Sequence, residues 1–246
     1  MGTRSGIAPE GVFDRPLENR EGIYHALAQR PRVPLAQRSN FWPLTAMLYE
    51  PLWRKRSIAL LTSGAFSTAR ELEVMLTWLE PQAGERILDA GASAGLYART
   101  LLTHTPGLEV HALDFSLPFL ERANRYAKRD GVAPILVHAD VGALPYRDAM
   151  FDAVVCGGSL NEFTDLHRTL AEFARVLKPG GQVFLMTLLQ AKKGVGSRLQ
   201  QLLNTSGLQF FSDGQLAEVA LELGLKRIQA QIYPPVSLEH YRLEKP

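Results

Sequence analysis

Asp89, Gly91, Ser93 and Gly95 crowd the end of a short apolar run, Arg86-Ile87-Leu88-Asp89-Ala90, where it opens into a helix-forming stretch. Such a turn does one chemical job well. Glycines lacking a Cβ let backbone N–H groups approach a ligand closely, at the start of a helix whose N-terminus favours anionic and polar groups. The ligand implied is a nucleoside-containing cofactor lying across the carboxyl end of a β-strand. A dinucleotide fingerprint would need glycines at 91, 93 and 96, and the chain has Gly91, Ser93 and Leu96. The nicotinamide reading therefore fails at two of three positions.

Further acids follow in order. Glu109-Val110-His111-Ala112-Leu113-Asp114 reads as a second strand ending in a carboxylate, 25 residues after Asp89. An acid there can accept hydrogen bonds from both ribose hydroxyls. Asp140 lies in His138-Ala139-Asp140-Val141, Phe151 to Cys156 reads as a fourth strand, and Arg175-Val176-Leu177-Lys178-Pro179-Gly180-Gly181 as a helix end feeding a fifth.

Together these segments resemble the class I S-adenosylmethionine (SAM) methyltransferases of the ubiquinone/menaquinone type. Asp89, Gly91 and Gly95 match their D/E-x-G-x-G-x-G motif, with Ser93 in place of the middle glycine, and residues 175–181 match their RVLKPGG signature. The resemblance implies SAM as cofactor. The backbone of Gly91, Ala92 and Ser93, with Gly95 behind it, would meet the methionine and ribose, and Asp89 would organise the turn or reach the methionine ammonium. Asp114 would take the ribose hydroxyls, Asp140 and the Val141 N–H the adenine, and Phe115 the adenine face. Gly157 falls where the family places its methyl-transfer face.

The chemistry implied is in-line displacement at a sulfonium methyl, which depends on alignment and exclusion of water more than on a dedicated acid or base. No catalytic residue and no metal site is assigned. Asn161 and Glu162 are the polar candidates nearest the acceptor. Tyr49 and Trp53 are candidates from the aromatic N-terminal region, and Tyr24, His25 and His167 are weaker ones. The N/D-P-P-Y pattern of enzymes that methylate base amines is absent after the fourth strand, which disfavours nucleic acid. The aromatic N-terminus suggests a small apolar or aromatic acceptor, such as a quinone or prenylated phenol. Its stretch Leu48 to Arg54 resembles cyanobacterial and plastid relatives of the quinone methyltransferases. The alternative is a SAM-binding regulatory or assembly protein without turnover, suggested by Ser93 and the lack of an obvious base.

Elements must position these residues. Residues 1–22 are rich in Gly, Pro and charge and are expected to lack fixed structure; 23–80 are expected to form a helical lid or substrate region, with short helices around Pro43 and Pro51. Thr68 and Glu71 suggest a capping box for a helix whose stripe Leu72, Met75, Leu76, Leu79 stops at Pro81. From 81 to 246 strands and helices alternate, predicting an α/β, Rossmann-like, mostly parallel sheet of seven strands with helices on both faces. Ser116 caps a helix to about Arg129, and the stripe Leu166, Leu170, Phe173, Leu177 marks another ending at Lys178. Gly181–Leu189 reads as a buried strand, and Ser212 with Gln215 as a second capping box. Strands at about Leu225–Tyr233 and Leu238–Leu243 flank Pro234-Pro235, too close for a crossover helix, so the last should be antiparallel. Residues 190–211 form a long insertion, read as a lid.

Composition excludes some classes. A net charge of +2 over 246 residues, 21% of them charged, offers no electrostatic case for nucleic acid or an anionic membrane. Cys156 is the only cysteine. No apolar run approaches the ~20 residues of a membrane span, and the first 22 residues lack a leader-like apolar core. A cytoplasmic setting is expected.

Overall fold

The computed structural model describes residues 11–27, 62, 64–191, 200–201 and 208–244. Tyr49, Trp53, the helices expected around Pro43 and Pro51, and the body of the 190–211 insertion lie outside these residues.

Helix α1 (Thr68–Leu79) buries Val74, Met75 and Leu79. Its cap is Ser67, whose side chain accepts from the Arg70 N–H at 3.2 Å, and not Thr68. Glu71 is correspondingly no capping-box partner: it is fully buried and accepts a hydrogen bond from the Tyr97 hydroxyl. The packing of α1 against the next helix turns Glu71 inward.

Beyond Pro81 the predicted alternation holds. The order is β3 (Arg86–Ala90), α2 (Leu96–His104), β4 (Glu109–Asp114), α3 (Leu117–Asp130), β5 (Ile135–His138), β6 (Phe151–Gly157), a 3-10 turn (Ser159–Glu162), α4 (Leu166–Val176), β7 (Leu177–Leu188), α5 (Gln215–Glu222), β8 (Leu225–Tyr233) and β9 (Val236–Leu243). Strands β5, β4, β3, β6 and β7 run parallel, and β9 inserts between β7 and β8 antiparallel to both. The short Pro234-Pro235 connection permits nothing else. Helix α4 ends at Val176, because Leu177 already pairs with Phe151 and β7 begins there. Gln215 Oε1 accepts from the Ser212 N–H at 3.0 Å, the predicted back-bond, although Gly214 is the residue that caps α5.

Among the described residues the sheet has nine strands rather than the expected seven. Residues expected to lack structure form a hairpin, β1 (Glu18–Arg20) and β2 (Ile23–His25), and β2 pairs parallel with β5. Residues 11–22 therefore have fixed structure, and 23–25 are strand rather than helix. The turn is tight: Asn19 Oδ1 accepts from the Gly22 N–H at 3.0 Å, with Gly22 at φ 88°. Apolar residues anchor the segment while its charges stay outside. Val12, Phe13, Ile23 and Tyr24 are buried, and Phe13 stacks on Tyr146 with centroids 5.3 Å apart.

Helices cover both faces. Leu170, Phe173 and Val176 of α4 and Leu216 and Ala220 of α5 join one core layer. Met75, Leu79, Tyr97, Leu101, Leu120 and Ala123 of α1, α2 and α3 join the other. At the amino ends of the strands, Arg86 pairs with Glu109 at 2.5 Å, and His111 donates from Nε2 to Glu109 while its Nδ1 accepts from the Tyr146 hydroxyl at 3.2 Å. His111, followed by Arg86, holds the Glu109 carboxyl down at about 2, whereas burial lowers His111 and keeps it neutral. This network braces the end of the sheet opposite the glycine turn.

Candidate cofactor site

The parallel strands deliver Ala90, Asp114, His138 and Gly157 to one edge of the sheet, the carboxyl edge at which open α/β sheets bind their ligands. Gly91 turns there with φ 71°, and its N–H and that of Ala92 both donate to the Leu113 carbonyl at 2.9 Å. A Cβ on Gly91 would stand 2.6 Å from Ser159 Cβ and 2.9 Å from Phe163 Cζ, so glycine is required by space as well as by dihedral angle. Ser93 occupies the left-handed region at φ 48°, as the glycine of the motif would. Gly95 caps α2 at φ 74°, with Ala123 behind it.

Asp89 is buried, and its Oδ2 accepts from the Ala98 N–H of α2 at 3.0 Å. This bond fastens the strand end to the helix. Asp114 is also buried. Its Oδ2 accepts from the Ser93 N–H and its Oδ1 from the Ser116 N–H, each at 2.8 Å, so one carboxyl joins the glycine turn to the start of α3. Burial pushes it up to about 6, against the opposing pull of the Ser116, Ser93 and Phe115 N–H groups.

Phe115 is half-buried, and its carbonyl accepts from His138 Nε2 at 3.0 Å. Asp140 Oδ1 accepts from the Gly142 N–H at 2.8 Å, shaping the turn in which Val141 is buried. Gly157 closes β6 beside the 3-10 turn.

On the acceptor side one expectation is overturned. Asn161 is 1% exposed and its amide is spent on backbone: Nδ2 donates to the Leu188 and Gln209 carbonyls at 2.9 and 2.7 Å, and Oδ1 accepts from the Leu188 N–H at 2.9 Å. It bolts the 3-10 turn to the end of β7 and to the far end of the 190–211 insertion, and is buried away from any acceptor. Glu162 beside it is half-buried. Tyr24 packs in the core against Phe13, His25 contacts His138, and His167 is exposed on α4. Sequence reasoning missed Ser159, whose hydroxyl donates to the Gly91 carbonyl at 2.8 Å. The small-residue run Gly157-Gly158-Ser159 was the available signal, since only small side chains fit against Gly91.

A surface cleft of about 550 Å³ lies elsewhere, between Gly142 and Arg175. Its Arg168 and Arg175 are engaged by the Gly142 carbonyl and by Glu172 and Asp148. Among the described residues no group of three or more His, Cys, Asp or Glu could hold a metal ion, and no helix is long and apolar enough to cross a membrane.

A sheet of this strand order, with an acid–glycine turn after its central strand and a buried acid after the next, defines a class I SAM-dependent methyltransferase fold. The Methyltransferase domain family matches residues 88–185. The chain is 30% identical over 176 residues to 2-phytyl-1,4-naphtoquinone methyltransferase of Nostoc punctiforme, covering 70% of this chain and 72% of that protein. It is 37% identical over 113 residues to demethylmenaquinone methyltransferase of Thermus thermophilus, covering 46% of this chain and 51% of that one. Among solved structures, the YcgJ protein of Bacillus subtilis superposes with a TM-score of 0.59 at 25% identity, over 66% of this chain and 72% of that one. The chain belongs to the ubiquinone/menaquinone-type family of these methyltransferases. It spans about half the length of the first curated relatives it matches.

Proposed function

We propose that the protein transfers a methyl group from SAM to a small apolar acceptor of the quinone or phenol class. The observation that carries this reading is the Asp114 carboxyl, buried at the end of β4 and tied to the glycine turn through the Ser93 N–H. These residues fit the cofactor: a carboxylate offers about four acceptor positions, enough for its backbone donors and a sugar hydroxyl. When bound, the cofactor supplies an electrophilic methyl on a sulfonium. Gly91, Ala92, Ser93 and Gly95 shape the cradle that Asp89 fastens to α2. Asp114 takes the ribose, and Phe115, Asp140 and Val141 border the adenine. Gly157 leaves room at the methyl-transfer face, where Glu162, with Tyr49 and Trp53 of the N-terminal region, remains the acceptor-side candidate.

The family supports the acceptor class. The relatives named above act, by their names, on demethylmenaquinone and 2-phytyl-1,4-naphtoquinone. In this reading residues 81–246 bind the cofactor, and the part of 23–80 that precedes α1, with the 190–211 insertion, serves the acceptor and excludes water, whereas α1 packs in the core. A cytoplasmic setting fits the lone buried Cys156.

The test is incubation of the purified protein with SAM and a reduced 2-prenyl-1,4-naphthoquinone, with S-adenosylhomocysteine and methylated product followed by mass spectrometry. Stoichiometric formation of both supports the proposal. Tight SAM binding without turnover on any quinone or phenol would favour the regulatory alternative, and absence of SAM binding would sink both.

A further inference from the structure

The register aligns four titratable residues in one row across neighbouring strands: Glu18 of β1, His25 of β2, His138 of β5 and Asp114 of β4. Residues paired across strands share a face of the sheet. Along this row the two imidazoles meet, Nδ1 to Nδ1, at 3.2 Å, and His138 Nε2 lies 3.0 Å from the Phe115 carbonyl oxygen. A carbonyl only accepts, so His138 carries its hydrogen on Nε2. Its Nδ1 is then the acceptor, and the His25 Nδ1–H is the donor. Burial lowers both rings and favours the neutral forms this arrangement needs; the charges facing His25 are Glu18 and Arg20 of β1, which pair with each other at 2.6 Å. The Ala26 and Leu27 N–H groups donate to the His138 carbonyl at 3.0 and 3.3 Å and hold the hairpin in place.

The Phe115 carbonyl and the Ser116 N–H belong to a single peptide group. That group is planar, so fixing its oxygen fixes the direction of its hydrogen. The oxygen is held by His138; the hydrogen points at Asp114 Oδ1, 2.8 Å away. We propose that His138, kept in one tautomer by His25, is a positioning residue that locks the Phe115–Ser116 peptide and thereby aims the Asp114 carboxyl at the nucleoside. This rests on the reading above that Asp114 receives the ribose. The N-terminal hairpin thus belongs to the cofactor site without touching the cofactor.

The experiment is calorimetric titration of the full-length protein and its variants with S-adenosylhomocysteine and with 5′-methylthioadenosine, which keeps the nucleoside and lacks the amino acid. His138→Phe should weaken both ligands by about tenfold, the scale of one lost hydrogen bond. Equal losses place the effect at the nucleoside end. His138→Gln, which keeps an N–H donor toward Phe115, should stay within about threefold of the wild type on the same scale. Should His138→Phe fail to fold by circular dichroism, His25→Phe, which removes the donor fixing the tautomer, carries the same test and should weaken both ligands. A folded His138→Phe or His25→Phe protein with wild-type affinity, or a His138→Gln protein as weak as His138→Phe, overturns the positioning role alone. A wild-type protein that binds neither ligand overturns the cofactor reading and this role with it.

Discussion

Replacing Asp114 by Asn keeps the shape of the side chain and removes its charge. In the native site the carboxyl accepts from Ser93 on one oxygen and Ser116 on the other. An amide offers an acceptor to one of them and sets its NH2 against the other, leaving a buried donor unsatisfied at a cost of about 1–3 kcal/mol. The ribose contact proposed for this carboxyl is lost besides, and hydrogen bonds to a charged group contribute about 1.5–3 kcal/mol. S-adenosylhomocysteine affinity should therefore fall by roughly 10- to 150-fold. The pH dependence gives a second handle. Folding raises this carboxyl from 3.8 to about 6, so the folded state holds the proton more tightly. Its contribution to stability is full below about pH 4 and is lost as pH rises through about 6, a change of ~3 kcal/mol at ~1.4 kcal/mol per unit. On the proposed role of Asp114, ligand binding should run the other way, weakening below pH 6 as this carboxyl protonates. Urea unfolding of wild type and Asp114→Asn from pH 4 to 7 isolates the group as a difference, because Glu109, held at about 2, acts in the opposite sense in both proteins. Ligand affinity flat from pH 5 to 8 and equal in the two proteins would refute the reasoning.

Gly91→Ala should destabilise the fold by at least ~2 kcal/mol, from left-handed backbone and the clash with Ser159 and Phe163; differential scanning fluorimetry reads the lower Tm, and calorimetry the lost cofactor affinity. Asn161→Ala strands the Leu188 and Gln209 backbone groups, and turnover of the proposed quinone acceptor should fall further than S-adenosylhomocysteine affinity, since the bolt lies on the side proposed for the acceptor. Steady-state kinetics beside calorimetry separates the two. Phe13→Ala removes a ring stacked on Tyr146 and tilted against Tyr24 and should cost ~3–5 kcal/mol, releasing the hairpin to proteolysis near residue 20; an N-terminus as resistant as the wild type would contradict the packing role. For the same reason a protein lacking residues 1–66 should be destabilised, because its sheet ends at an uncovered β5.

What was legible in the sequence was local. The acid–glycine turn at 89–95 and the acid at 114 announce themselves through residues adjacent in the chain, and the β8–β9 pair through a connection too short for a helix. Errors arose where the deciding partner was remote. Thr68 and Ser67 are equally good caps in isolation; the choice between them lies in Glu71 being drawn inward to Tyr97. Asn161 has the type and position of a substrate contact, and only the arrival of Leu188 and Gln209 shows its amide to be engaged by backbone. Strands of three residues, Glu18–Arg20 and Ile23–His25, carry too little alternation to announce themselves, and their charge and glycine content suggested disorder.

The pairing of β2 with β5 also bears on how the chain reaches its native state. His25 and His138 are 113 residues apart, so β1 and β2 cannot find their sheet edge until the chain has been made as far as β5. Contacts of such separation are slow to form, and the apolar groups awaiting them are exposed meanwhile. Val12, Phe13, Ile23 and Tyr24 are in that position during synthesis. The βα units from Arg86 to Leu188 can assemble from near neighbours, with β5 as a temporary bare edge. Docking of the amino-terminal hairpin is then a closing step: it covers that edge and brings His25 to the His138 ring in one event.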